Sequence, residues 1–233
     1  MKNSSSFVPL NDSQMGIYLD CYQNPESTMY NIPVCRRYKS GQVDIARLAD
    51  SVCQALEHFE AFHLYIGQQD GLPVMMRQET IEFAVECCTA QESEFEQCKT
   101  AFVRPFDLTH APLFRAQIIT TPESVYLLVD AHHILSDGTS MSVLGDAIWD
   151  AYQGNPIPPE LLVPSVQSEL EQQDAPQEKA REALAYFTKE LGGVEVDSNL
   201  PVDRPDATSS LQGSLLKMEL DVPFDTVEQI ARR

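Results

Sequence analysis

Clustered positive charge is the first thing this 233-residue chain lacks: 16 lysines and arginines face 35 aspartates and glutamates, a formal net charge of -19. A phosphate backbone is held by many cations that displace its counterions, so general nucleic-acid binding is excluded. The same acidity repels an acidic partner at long range, which leaves docking to local apolar or basic patches. No apolar run of about 18 residues occurs, and Met1–Ser6 has no apolar core. Neither a membrane span nor a secretion signal is indicated, and a cytoplasmic location is expected. The six cysteines (21, 35, 53, 87, 88 and 98) show no paired CxxC spacing, and two are adjacent. That excludes a zinc site or a disulfide framework and predicts free thiols. A chain of this length buries roughly 70 to 75 per cent of its unfolded surface, enough for a substantial core.

What the chain does have is a dense junction at His132-His133-Ile134-Leu135-Ser136-Asp137-Gly138. The run Val125–Val129 before it is short, apolar and β-rich, as a strand buried on both faces should be. After it, Thr139 or Ser140 is placed to cap a helix whose apolar positions Met141, Leu144, Ile148 and Tyr152 recur at helical spacing, with Gly154 and Pro156 as stops. A histidine held at a strand end can accept a proton from a nucleophile and return it to a leaving group. Adjacent strand side chains point to opposite faces, so at most one of His132 and His133 is catalytic and the other supports. The same divergence rules out a metal held by both imidazoles and a carboxylate. Asp137 can accept backbone hydrogen bonds or hold a buried arginine, Gly138 permits a backbone angle or a close approach, and the helix start offers N–H groups.

Along the rest of the chain the pattern alternates helix and strand. Residues 12–22 read as helix behind Asn11 or Asp12, 32–38 as extended, and 44–59 as helix with Ile45, Leu48, Val52, Leu56 and Phe59 on one face. Extended segments are expected near 62–67 and 73–84, and a helix over 91–103. Leu113–Thr120 and Val125–Ala131 form a hairpin that presents the histidines at its open end. Residues 155–176, rich in proline, glutamine and acid, read as a connection, 178–191 as a helix ended by Gly192-Gly193, and 213–221 as a strand. Val222-Pro223 then opens a helix bearing Phe224, Val227 and Ile230, and it reaches Arg233 with no stop signal, as a cut boundary would leave it. The order suits an α/β two-layer sandwich of mixed, largely antiparallel sheet with helices.

His132–Gly138 resembles the HHxxxDG motif of condensation domains from nonribosomal peptide synthetases, and Thr139–Leu144 is similar to the type that joins two L-residues. Phe106-Asp107-Leu108 with Pro112-Leu113-Phe114-Arg115-Ala116 resembles the FDL…PLxRA segment of that family. Pro9-Leu10 with Gln14, Gly16, Ile17 and Tyr18 resembles its opening motif, Tyr30–Pro33 also fits, and Leu200–Pro205 resembles its LPTDRP segment. One stretch departs: where the family reads RHExLRTxF, His58–Ile66 places histidine at both arginine positions. If such an arginine anchors the motif aspartate, Asp137 must find Arg115 or Arg77, or rely on backbone donors.

The resemblance implies a chloramphenicol-acetyltransferase-like fold whose first lobe is residues 1–154, followed by a connecting segment, 155–212, and the start of a second lobe, 213–233. It implies amide formation between donor and acceptor thioesters carried on the phosphopantetheine arms of carrier domains, with an adenylation domain in the same polypeptide and no directly bound cofactor or metal. His133 is the implied catalytic residue, with His132, Asp137 and Gly138 around it and Arg115 and Ser136 in support. The fragment alone is expected to be inactive. A non-catalytic platform for carriers, a coenzyme A-dependent acyltransferase and an epimerization domain are the alternatives.

Overall fold

An uninterrupted apolar run is costly on a surface and stable between layers, and the run before the histidines takes the central place. The computed structural model describes residues 7–160, 177–193, 218 and 221–232. In chain order its elements are β1 (Phe7–Pro9), α1 (Asp12–Gln23), β2 (Asn31–Lys39), α2 (Ile45–His58), β3 (Leu64–Gln69), β4 (Leu72–Arg77), β5 (Glu86–Thr89), α3 (Phe95–Phe102), β6 (Phe114–Thr120), β7 (Ser124–His132), α4 (Gly138–Gln153), α5 (Gln177–Leu191) and α6 (Phe224–Ala231). Two sheets form, one ordered β1-β4-β3 and one ordered β2-β7-β6-β5. Every residue of β7 is buried. It pairs antiparallel with β2 and β6, whereas β5 runs parallel to β6.

Alternation along β7 divides its side chains between two cores. Val125, Leu127, Val129 and Ala131 join Leu48, Val52 and Leu56 of α2 and Met141, Leu144 and Ile148 of α4 in the main core. Tyr126 and Leu128 face the other way, onto Phe95 and Phe102 of α3. A third cluster lies under the smaller sheet, where Leu64, Ile66 and Met75 meet Leu113 and Ile134, with Ile17 and Tyr18 of α1 packed against them. It fastens the loop after the histidines to the amino-terminal helix.

The expected elements form with shifted ends. The segment 62–67 begins as a short 3-10 turn, Glu60–His63, before β3. The extended segment 73–84 stops as strand at Arg77, and Phe83 beyond it packs against His63 and the main core. The helix over 91–103 is regular only from Phe95, behind a 3-10 turn at Glu92–Glu94. Strands β1 and β5, of 3 and 4 residues, are too short for a periodic signal and exist through their pairing partners.

The chain divides into two compact units, residues 1–180 and 181–233. Helix α5 ends at Gly192-Gly193, where a Cβ on Gly192 would run into the Thr188 carbonyl. Helix α6 carries Phe224, Val227 and Ile230 exposed. The expected strand over 213–221 and the Leu200–Pro205 segment lie outside the described residues, apart from Met218 and Asp221. Among the described residues no helix is long and apolar enough to cross a membrane.

Ile118 is fully buried between β7 and the helices. Truncation there leaves a cavity the close-packed core cannot fill, so Ile118→Ala should lower the unfolding free energy by about 2–5 kcal/mol with an unchanged denaturant slope, read by urea titration.

Candidate active site

The two histidines separate as the alternation requires. His132 closes β7 and is buried, while His133 is exposed. The His132 Nδ1 accepts the Ile134 N–H at 3.2 Å, which places the ring proton on Nε2, 3.6 Å from the Cys21 sulfur. Tyr30 and Phe106 flank the ring, with centroids 6.2 and 5.9 Å away. Burial, reinforced by His133 and Arg115, pushes its pKa down to about 4. Both His132 ring nitrogens are thus engaged, and the neutral form is favoured. The His133 backbone N–H donates to the Tyr30 carbonyl at 2.8 Å and carries the β2–β7 ladder one residue past the strand. Its imidazole therefore stands on a fixed backbone at an open surface.

The turn after it is locked by its own groups. The buried Ser136 hydroxyl donates to the His132 carbonyl at 3.0 Å, and the Leu135 N–H donates to the same oxygen at 3.1 Å. Asp137, rather than Thr139 or Ser140, is the helix cap. Its Oδ1 accepts from the Ser140 N–H and the Ser140 hydroxyl, each at 2.7 Å. The Ser140 backbone bond and then its hydroxyl hold the Asp137 carboxyl below the usual carboxylate range, with His133 adding to the shift. An extended residue one position before the helix can reach back to the third N–H, and a hydroxyl inside the first turn cannot. The cap occupies the Ser140 N–H, so that group of the helix start is not offered to a substrate.

Neither arginine reaches Asp137. Arg77 pairs with Glu60 at 3.5 Å. Arg115 donates to the Arg104 carbonyl at 2.7 Å and the Pro105 carbonyl at 3.0 Å, stacks over Phe106 at 3.7 Å and lies 3.8 Å from Asp130. Gly138 is also corrected: its φ is not positive, and an added Cβ would meet nothing within 4 Å. Within the described residues the protein places no demand on that glycine, which leaves open space beside the motif.

Sequence reasoning missed the partners beneath. Asp130 is fully buried, two residues before His132 on the same face of β7, and it accepts a 2.6 Å hydrogen bond from Asn31. Burial raises the Asp130 carboxyl against the lowering pull of Asn31 and Arg115. Asn31 is the register partner of His132 and also donates to the Arg104 carbonyl at 2.9 Å. The available signal was the period of two that puts a carboxylate on the His132 side.

A family model described as Condensation domain matches residues 4–232. The chain belongs to the condensation-domain family. Its relatives are nonribosomal peptide synthetases. Tyrocidine synthase 3 of Brevibacillus parabrevis is 32% identical over 219 residues, covering 91% of this chain and 3% of that protein. Bacitracin synthase 3 of Bacillus licheniformis is 28% identical over 217 residues, covering 92% and 3%. Among solved structures, the X-domain from teicoplanin biosynthesis matches with a TM-score of 0.73 at 19% identity, covering 88% of this chain and 47% of that one. The starter condensation domain of rhizomide synthetase matches at 0.69 and 19%, covering 80% and 48%. The shared fold is chloramphenicol-acetyltransferase-like. This condensation-family chain spans about half the length of those solved chains and a few per cent of the synthetases.

Two measurements check the site. An unfolded histidine titrates near 6.5, so as pH falls from 6.5 toward 4 the unfolded chain gains a proton that folded His132 refuses. Stability is therefore lost over that window, and the advantage of the native protein over His132→Gln should shrink by about 3 kcal/mol between pH 6.5 and pH 4. Asp137→Ala should cost about 1 kcal/mol of stability through the lost cap, read by urea unfolding at pH 7.

Proposed function

We propose that this chain is the donor-side part of a condensation domain that forms a peptide bond between two carrier-bound thioesters. Residues 1–154 form its first lobe in this reading, 155–212 the connection, and 213–233 the beginning of the second lobe. The acceptor's amine nitrogen attacks the donor carbonyl carbon, the carbon–sulfur bond breaks, and the amine proton ends on the departing thiol of the phosphopantetheine arm. His133 holds the amine and takes its proton as the carbon–nitrogen bond forms. Carrier domains bring both reactants, and an adenylation domain in the same polypeptide loads them. No directly bound cofactor takes part.

One observation carries this reading. His133 is an exposed imidazole on a backbone fixed by the ladder bond to Tyr30, beside a turn held by the Ser136 hydroxyl and the Asp137 cap. A residue needed only for packing would not be left open while its neighbour is buried. Proximity supplies much of the remaining acceleration, since two tethered reactants meet at high effective concentration. That economy fits a site with one available imidazole, and it fits the expectation that this chain alone, without the rest of the domain, does not turn over.

Single-turnover condensation with loaded donor and acceptor carriers tests the proposal on the chain joined to the remainder of its domain. His133→Ala should lower the rate of dipeptide formation by about 100-fold or more. A variant as fast as the native protein would remove His133 from the chemistry.

A further inference from the structure

Between α4 and the β2–β7 side of the larger sheet lies a cavity of about 170 Å³. Alternate residues of β2 floor it, Ile32 and Val34 first and then Arg36, while Met141 and Leu144 of α4 roof it. It begins at Gly138, where an added Cβ would meet open space, and it reaches Gly145, where a Cβ would come within 2.5 Å of the Arg36 Nη2. Seven helical residues at ~1.5 Å each make that path about 10 Å long. Four strand residues from Ile32 to Arg36 make it about 13 Å on the other wall. Along β7 the same face carries Leu127 and Val129 and, continuing the alternation, points toward the His133 end. One end of the channel thus adjoins the motif and the other is cationic.

The far end is a place for an anion. Arg36 forms no ion pair with any carboxylate among the described residues, in a chain whose net charge is -19. It acts on the Tyr38 hydroxyl beside it, so a guanidinium and a phenol converge where the apolar walls end. A guanidinium at the end of an apolar slot favours a planar carboxylate, which it can engage through two N–H bonds.

We infer that this cavity is a specificity pocket for the donor, taking a short methylene chain that ends in a carboxylate held by Arg36. The inference rests on the peptide-bond-forming reading for the thioester at the chain's other end. Gly138 then has a reason that the protein's own packing does not supply: a side chain there would stand at the pocket's mouth.

The test is binding to the 233-residue chain, followed through the amide resonances of Gly138 and Gly145. The probes are adipoyl-pantetheine and hexanoyl-pantetheine with an amide in place of the thioester, which share chain length and differ in the terminal carboxylate. The adipoyl compound should bind about tenfold more tightly, the equivalent of one good ion pair, and Arg36→Leu should bring the two within about twofold while the variant keeps its native spectrum elsewhere. Arg36→Lys should restore part of the preference. Equal binding of the two probes, no saturable shift at either glycine, or an unchanged preference in Arg36→Leu would overturn the inference. Binding does not require turnover, and the probes carry an amide that cannot condense. Failure of condensation and failure of this pocket are therefore read separately.

Discussion

The antiparallel pairing of β2 with β7 runs from Lys39 opposite Ser124 to Asn31 opposite His132, and it does not stop there. One further bond, from the His133 N–H to the Tyr30 carbonyl, fixes the residue that follows the strand. The site depends on that last rung. Beneath it lies a charge cluster unusual for an interior: Asp130 without exposed surface, Asn31 and Arg115. Buried charges are retained where partners compensate them, and removing one partner typically costs about 3–5 kcal/mol because the other is stranded. One oxygen each of Asp130 and Asn31 has no partner among the described residues, so the compensation is incomplete and the Asp130 carboxyl rises. The strand end is thereby specified by polar contacts as well as by apolar packing.

Both histidines at the departing motif have local occupations. His58 engages the Pro158 carbonyl at 2.8 Å, and His63 engages the Glu57 carbonyl at 3.3 Å with its ring edge-on to Phe83. Neither anchors Asp137, which caps its own helix instead. A cap is satisfied within three residues and needs no distant cation. The aspartate can therefore fix the turn without either arginine of the usual pattern, while Arg115 holds Asp130 and the carbonyls of Phe102, Arg104 and Pro105.

Helix α4 then serves two surfaces. Its cap holds the motif turn, and its inner face roofs a channel that begins at Gly138 and ends at Arg36. A single rigid element thus ties the geometry of the motif turn to the geometry of the cavity. The chain's acidity gives Arg36 its weight, since a cation with no ion pair among the described residues stands out against a negative charge balance.

Local pattern was enough for much of the fold. The apolar runs of β7 and the helical stripes of α2 and α4 announce burial because their period is that of the element, and the order of elements with the HHxxxDG stretch was enough to indicate the family. It was also enough to separate His132 from His133, since neighbours on a strand must diverge. Residues 12–22, 44–59 and the 113–131 hairpin follow from the same logic. Tertiary structure alone decided which arginine meets which carboxylate, that Asp137 rather than a hydroxyl caps α4, and that β1 and β5 are strands at all. It also decided that Ile32, Arg36, Gly138 and Gly145 surround one cavity. Periodicity reports which face of an element is buried, and it carries no information about which distant element lies against that face. Asp130 with Arg115, Asn31 with His132 and Arg36 with Gly145 are meetings of that second kind, settled only when the sheet and its helices close on one another.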